Sequence, residues 1–522
     1  MQRPQSRREI SGQATYAQTW SVLAAAAAAL AAQPARAQFQ FQETIGGTND
    51  QRILDAVRAT DGGYVTVGVR SVVGGPRDIM LTRHNPDGSF FVPWGAAPKL
   101  VVGAGDDVGY SVTRTFDGGY VVGAETNSMG AALGLGLLKF NAAGVLLAPG
   151  LVFTATPFVG GRIGAATYEL ADNSLVVTGR LRVSAGTGQE GVLSRVSPAG
   201  VPVFARGYFD AAIGLESSVD FADVRQMLDG RIAVCGSIAN ALGGPRDALI
   251  AWFDLAGNPL GAVAYGSPNT DEHFDSLEVL GDNTIALTGR DSTIASGSRF
   301  MRVSPAGAIL SSRELKDFFS PQSCVREDSQ HQRLIIGGSH LKTAAAGTTW
   351  AQLINCDWNG ADIVTMLYGS PVAAQTDSGE AALATPDCGY ALFGATNSFG
   401  VVGVDQYFVK TAANLHSGCN ERPIDQSNPA TNIARRVVQL DWFALQWGNW
   451  TPGVTNEYTR NVLCFDVICR ADFDGDGFVT GTDFDQFVVA FEAGSYLADF
   501  DCDGFITGAD YDLFVLAFEA GC

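Results

Sequence analysis

The chain has 522 residues, a formal net charge of −20, and 17 % charged against 46 % hydrophobic residues. A surface this acidic attracts neither nucleic acid nor an anionic membrane, which argues against both as partners. Sixty-two glycines in this composition point to many short strands and turns, and the length points to two or three domains.

In chain order, Arg3, Arg7 and Arg8 precede an apolar run from Trp20 to Ala32, and Ala35-Arg36-Ala37 follows as a small-x-small cleavage signature. Residues 1–37 read as a signal peptide cut after Ala37, with the mature protein secreted or at the cell surface. The run is too short for a membrane span, and no later stretch reaches the ~18 apolar residues that a span needs. Ser6-Arg7-Arg8 leaves general secretion and twin-arginine export both open.

Residues 38–416 carry a sevenfold repeat. Its clearest copies are Asp61-Gly62-Gly63-Tyr64, Asp117-Gly118-Gly119-Tyr120 and Asp387-Cys388-Gly389-Tyr390. Degenerate copies begin at Asp172, Asp229, Asp282 and His331. Each is a turn signal, a short apolar strand and then Gly, at spacings between 49 and 57 residues. A second apolar strand running into a Gly or Asn turn recurs in step, as in Asp78–Arg83 and Val192–Arg195. Strand-sized runs at a fixed period near 50 fit four-stranded blades, so the expected fold is mainly β, a seven-bladed propeller. Phe39–Thr44 is an outer-type strand with no counterpart after Lys410. It is expected to complete the last blade and cover its open edge. These repeats resemble the Asp-Gly-Gly-Tyr propeller repeats of large secreted bacterial proteins, which implies fold and export but no single activity.

Within the repeats there is no Gly-x-Ser-x-Gly elbow, His-Glu-x-x-His helix or P-loop. The densest acidic/His group is Asp271-Glu272-His273-Phe274-Asp275. It could supply an acid and a base for glycoside cleavage, but reads first as a solvated loop between blades. Gly75-Pro76-Arg77-Asp78 and Gly244-Pro245-Arg246-Asp247 occupy equivalent places and read as turns entering strands. Residues 417–468, with Trp442, Trp447 and Trp450, read as a linker or small aromatic-rich domain rather than a sugar-stacking patch. The nine cysteines are an odd number, so at least one is free or paired between chains. With no Cys-x-x-Cys pair and five His, zinc is not expected.

Residues 469–522 hold the most specific motif. Two 12-residue loops, 27 residues apart, place Asp472, Asp474, Asp476 and Asp483, then Asp499, Asp501, Asp503 and Asp510, at positions 1, 3, 5 and 12. Gly477 and Gly504 stand at position 6, where the chain turns sharply. Phe478 and Phe505 offer carbonyls at position 7, and Thr480 and Thr507 act at position 9 directly or through water. Hard divalent cations take six to eight such oxygens, so two Ca²⁺ are expected. From Ala471 on there are twelve Asp or Glu and no Lys or Arg, a repulsion that bound cations offset. A helix is expected after each loop, with stripes Phe484/Phe487/Val488/Phe491 and Tyr511/Phe514/Val515/Phe518 and Gly caps at Gly494 and Gly521.

This duplicated loop–helix unit resembles a dockerin module of the variety ending in Gly-Cys, here Gly521-Cys522. The resemblance covers about a tenth of the chain, from Cys469 on. It implies calcium binding by the eight Asp residues and docking onto a cohesin-like partner. Dockerins are typically attached to secreted polysaccharide-degrading enzymes and scaffolds. A Cys469–Cys522 disulfide is a plausible clasp for the module's ends. The expected function is an exported, non-catalytic propeller that binds protein or glycan and is attached by the calcium module. The alternative is a polysaccharide-degrading propeller enzyme carried by the same module.

Overall fold

The protein is described from a computed structural model covering residues 39–521, except 96, 129–133, 155–165, 183–187, 215–216, 240–243, 268, 293, 295–296, 319–322, 343–347, 426–427, 457–458 and 468. The signal-peptide expectation for residues 1–37 and Cys522 lie outside the described residues.

The repeated turn explains the repeated strands. In five blades the turn Asp accepts the N–H two residues on: Asp61 from Gly63 (3.1 Å), Asp117 from Gly119 (3.0 Å), Asp172 from Ser174 (3.1 Å), Asp229 from Arg231 (3.1 Å) and Asp282 from Thr284 (3.0 Å). The residue between is left-handed in all seven: Gly62, Gly118, Asn173, Gly230, Asn283, Gln332 and Cys388, with φ between 52° and 89°. That requirement selects Gly and Asn, which reach this conformation at least cost.

Each hairpin joins the two innermost strands of an antiparallel blade. The first strands are Asp50–Arg58, Asp107–Arg114, Ala166–Glu169, Val219–Gln226, Glu272–Val279, Cys324–Asp328 and Asp377–Ala384, and neighbours among them touch around the axis. Core clusters form where one blade faces the next, as where Cys235 and Ile250 of blade 4 meet Phe274 and Leu287 of blade 5. The result is a seven-bladed β-propeller followed by a small helical module.

The N-terminal strand Phe39–Gly46 closes the ring, pairing antiparallel with Asp405–Thr411 of blade 7 in the register Phe41↔Lys410. Phe41 is fully buried against Phe408, with ring centroids 4.8 Å apart.

Residues 421–467 do not form a linker domain. They run once around the rim, against the order of the blades, laying a strand on almost every outer edge. Glu421–Pro423 pairs with blade 6, Ala434–Val438 with blade 4, Leu440–Ala444 with blade 3, Gln446–Trp450 with blade 2, Gly453–Asn456 with blade 1 and Thr459–Val467 with the closing strand. Blade 5 receives a single bridge, Arg313↔Ala430. An unpaired outer strand is a template for aggregation, and this belt covers it. The tryptophans serve the belt individually. Trp450 is buried in the core of blades 1 and 2, Trp442 lies under the Arg206 guanidinium at 3.6 Å, and Trp447 is 51 % exposed.

Two α-helices follow among the described residues, α1 (Gly481–Glu492) and α2 (Gly508–Ala520). Their stripes pack about a pseudo-twofold axis: Phe487 stacks on Phe514 at 3.8 Å, while Phe484–Phe518 (5.5 Å) and Phe491–Tyr511 (5.7 Å) are equivalent pairs. Gly494 (φ 64°) and Gly521 (φ 65°) end the helices in the left-handed region, as the sequence implies. No helix among the described residues is long and apolar enough to cross a membrane.

Candidate functional site

In each C-terminal loop, backbone donors position the carboxylates. Asp472 accepts from the N–H of Asp476 (3.1 Å) and Gly477 (2.9 Å), and Asp499 from Asp503 (3.1 Å) and Gly504 (2.8 Å). Asp483 accepts from Phe473 (2.8 Å) and Thr480 (2.7 Å), and Asp510 from Phe500 and Thr507 (both 2.7 Å). Three carboxylates per loop, Asp472/Asp474/Asp483 and Asp499/Asp501/Asp510, bring one oxygen each within 4.8 Å of the others. Asp476 and Asp503 turn instead to the N–H of Phe478 (2.9 Å) and Phe505 (2.8 Å). Thr480 and Thr507 cap the two helices, each hydroxyl accepting from the N–H two residues on. The Phe478 and Phe505 side chains are exposed.

Gathering three carboxylates this closely costs on the order of 1 kcal/mol per pair in water and more in partial burial. Desolvation, with Asp510 and Asp503 nearby, pushes the Asp501 carboxyl up to about 6. An all-oxygen donor set held by backbone N–H groups fits a hard cation such as Ca²⁺.

The second loop sits on the propeller, and two residues that break the turn pattern seat it. His331 stands where most blades carry Asp; it bonds Asp328 of blade 6 (2.7 Å) and Asp499 of the loop (3.0 Å). Although desolvation opposes its charge, these two carboxylates hold His331 at about 9. Cys388 stands where five of the other turns carry Gly or Asn and forms a disulfide with Cys502. Gln330 donates to the Cys502 carbonyl (2.8 Å), and the Arg333 guanidinium lies 4.7 Å over the Tyr496 ring. A second disulfide, Cys419–Cys464, ties the belt's start to its end. Cys469 is also disulfide-bonded. Among the described residues three cysteines, Cys235, Cys324 and Cys356, are free and buried. Burial pushes Cys324 up to about 11 and Cys356 to about 12, so both stay as unreactive thiols.

Cys388–Cys502 closes a span of 114 residues, for which chain entropy gives about 4–5 kcal/mol. Cys388→Ser together with Cys502→Ser is therefore expected to expose the helical module to limited proteolysis while the propeller stays resistant. Unchanged cleavage would show that the remaining contacts suffice.

The acidic/His group lies elsewhere than expected. Only Asp271 is in a loop; Glu272–Val279 is the innermost strand of blade 5. Glu272 and Phe274 are buried, whereas His273 and Asp275 line a cavity of about 150 Å³ on the propeller axis. Among the described residues the inner strands of five blades carry a bulge, which inserts Leu54, Tyr110, Ala222, Asp275 and Glu380, and all five residues line this cavity. A bulge adds one residue and re-aims it. The residue after the bulge bonds the next blade: Asp55 accepts from Val112 N–H (2.9 Å), Ser111 meets Thr167 (3.2 Å), Asp223 accepts from Leu277 N–H (3.2 Å) and Ser276 from Val325 N–H (3.3 Å).

Much of the cavity's charge is internally paired. Asp220 holds Arg180 and lies 3.7 Å from Arg246. Asp275 Oδ1 lies 3.2 Å from His273 Nε2 and 3.6 Å from Arg290. Asp223 lies 2.6 Å from Arg225 and 3.6 Å from Arg326. The second of the two Gly-Pro-Arg-Asp motifs thus enters its strand as expected and also delivers Arg246 to this cluster; its backbone N–H bonds Asp271 (2.9 Å). Burial in the channel wall raises the Asp55 carboxyl and pushes Glu380 up to about 8, with Arg52 opposing and Asp275 adding to the shift. The second C-terminal loop docks at the hairpin end of the inner strands, while Asp220 and His273 lie near their opposite ends.

No known family profile matches the chain, and no curated protein matches it. Among solved structures it is similar to a protein of unknown function from Dyadobacter fermentans (9 % identity, 71 % of this chain and 97 % of that one, TM-score 0.39). It is also similar to the polysaccharide lyase Uly1 (11 %, 69 % and 90 %, 0.42) and to a GH43_1 enzyme from Xanthomonas citri complexed with xylose (13 %, 48 % and 86 %, 0.28).

Proposed function

We propose that the chain is an exported, non-catalytic binding protein. Its propeller presents one face to a ligand, and a C-terminal module holding two Ca²⁺ attaches it to a protein partner of the cohesin type. The observation that carries this reading is the pair of equivalent carboxylate loops, one of them seated on the hairpin end of blades 6 and 7. On the module Phe478, Val489, Phe505 and Leu516 are each exposed, apolar side chains available to a partner. The Asp residues would hold the ions; the bound cations would screen their mutual repulsion and fix the loops that start α1 and α2.

Immobilised protein is expected to retain a secreted or surface protein of the parent organism in calcium and to release it in chelator. A set of retained proteins identical in both conditions would count against calcium-dependent attachment.

One observation favours the enzymatic alternative, a polysaccharide-degrading propeller carried by the same module. Asp275 and Glu380 share the axial cavity, and a carboxyl at about 8 is in the range of a proton donor. Release of new reducing ends or unsaturated ends from polysaccharide, lost in Glu380→Gln, would establish that reading in place of the binding one.

A further inference from the structure

The axial cavity has features that ring closure does not need. Walls from all seven blades surround it, so a ligand enters end-on along the axis rather than lying across it. Its volume, about 150 Å³, is below the ~300–1,000 Å³ of pockets for drug-sized ligands, so it suits one small unit. Two buried polar atoms of its lining have no hydrogen-bond partner among the described residues, Asp275 Oδ2 and Ser323 Oγ. The Asp275 side chain is 6 % exposed and Ser323 is 3 % exposed. An unpaired buried polar group is costly, and one that lines a cavity is free to bond what enters it.

The chemistry of the wall narrows that ligand. Its arginines already face acids: Arg180 with Asp220, Arg290 with Asp275, Arg326 with Asp223. No surplus cation is left to select an anion, and a net charge of −20 repels polyanions. What remains is an acceptor at Asp275, a hydroxyl at Ser323 and, with Glu380 at about 8, a further O–H at neutral pH. His273 and Arg290 fix one oxygen of Asp275 and leave the other to accept. Tyr110, brought to the wall by its bulge, adds an aromatic surface. Donors and acceptors side by side, next to an aromatic ring, match the vicinal hydroxyls and C–H face of a pyranose.

We propose that the axial cavity is a binding site for the terminal residue of a neutral glycan, with Asp275 and Ser323 as its direct hydrogen-bond partners. This inference rests on the binding role proposed above and assigns it a site and a ligand class.

The test uses the full mature chain in calcium on an array of neutral, uronate-bearing and sialylated oligosaccharides. The best neutral binder is then followed by calorimetry, alongside the same oligosaccharide with its terminal residue methylated. Wild-type protein is expected to prefer neutral glycans and to lose the methylated one. Asp275→Asn and Ser323→Ala are expected to weaken binding, the former by about ten- to a hundredfold, as loss of a hydrogen bond to a charged group implies. Unchanged melting temperatures in both variants separate this from misfolding. Wild-type affinity retained in Asp275→Asn and Ser323→Ala would overturn the site while leaving a glycan-binding role intact. No glycan bound by wild-type protein would overturn the ligand class, and a protein captured by the propeller alone would then keep the broader binding role. Preference for uronate or sialylated glycans would overturn the neutral assignment.

Discussion

Deleting residues 38–45 should unfold the propeller as a whole rather than loosen one blade. Those residues form most of the strand Phe39–Gly46, which lies between Asp405–Thr411 and Thr459–Val467 and pairs with both. Without it blade 7 loses its fourth strand and the belt its last attachment. Phe41 and Ile45 on it are buried, and Phe41 packs in the core between blades 7 and 1, meeting Phe408 edge-on, while Phe408 meets Tyr64 of blade 1 at 5.2 Å. One strand therefore couples the first blade, the last blade and the rim. The milder Phe41→Ala should cost ~3–5 kcal/mol, the usual range for truncating a buried Phe. Against a total stability of ~5–15 kcal/mol this is large. Thermal unfolding by circular dichroism is expected to show a single transition that drops by several degrees in Phe41→Ala. A stable folded ring after the deletion would contradict closure by this strand.

Removing calcium should have the second-largest effect, and a local one. The three-carboxylate clusters of the two loops lie at the base of α1 and α2, and Asp483 and Asp510 belong both to a cluster and to the helix N-terminus. Loss of the cation leaves the repulsion in place and loosens the loop that starts each helix. If each site binds a hundredfold below ambient calcium, each ion contributes ~2.7 kcal/mol. Hydrogen exchange in chelator is expected to deprotect residues 470–521, while the inner strands of the propeller stay protected. The second half, held by Cys388–Cys502 and the His331–Asp499 contact, is expected to open less than the first. Equal exchange with and without calcium would contradict the assignment.

The architecture was legible where local chemistry repeats. Seven copies of a turn that demands a left-handed residue can be counted from Gly62, Asn173 or Gly230 without any tertiary information. The α1/α2 stripes were legible for the same reason, because a helical period of 3.6 shows in a single sequence. The belt was not. Its strands are only 3–9 residues long, with exposed faces and no blade-length period, and each is defined by the edge it covers. Trp450 gave no sign in sequence that it fills the core of blades 1 and 2. The axial cavity was half legible. Asp275 stood out by its neighbours His273 and Glu272, but a bulge reverses which side chains face the axis, and a strict alternation of two cannot reveal it. Glu380 and Ser323 lie in unremarkable surroundings and become notable only when the ring closes. The docking contacts did leave a trace: His331 and Cys388 are among the turn residues that depart from the repeat, and both face the C-terminal helical module.

In the proposed function, metal binding by the C-terminal loops in the intact protein underlies both the attachment and the folding of the helical module. Native mass spectrometry of the full mature chain, decalcified and then titrated with Ca²⁺, tests this directly. Two ions are expected, falling to one in Asp483→Ala and, separately, in Asp510→Ala, with the helical module regaining protease resistance as the ions load. A mass that stays metal-free at millimolar calcium, with protease resistance unchanged, would contradict it.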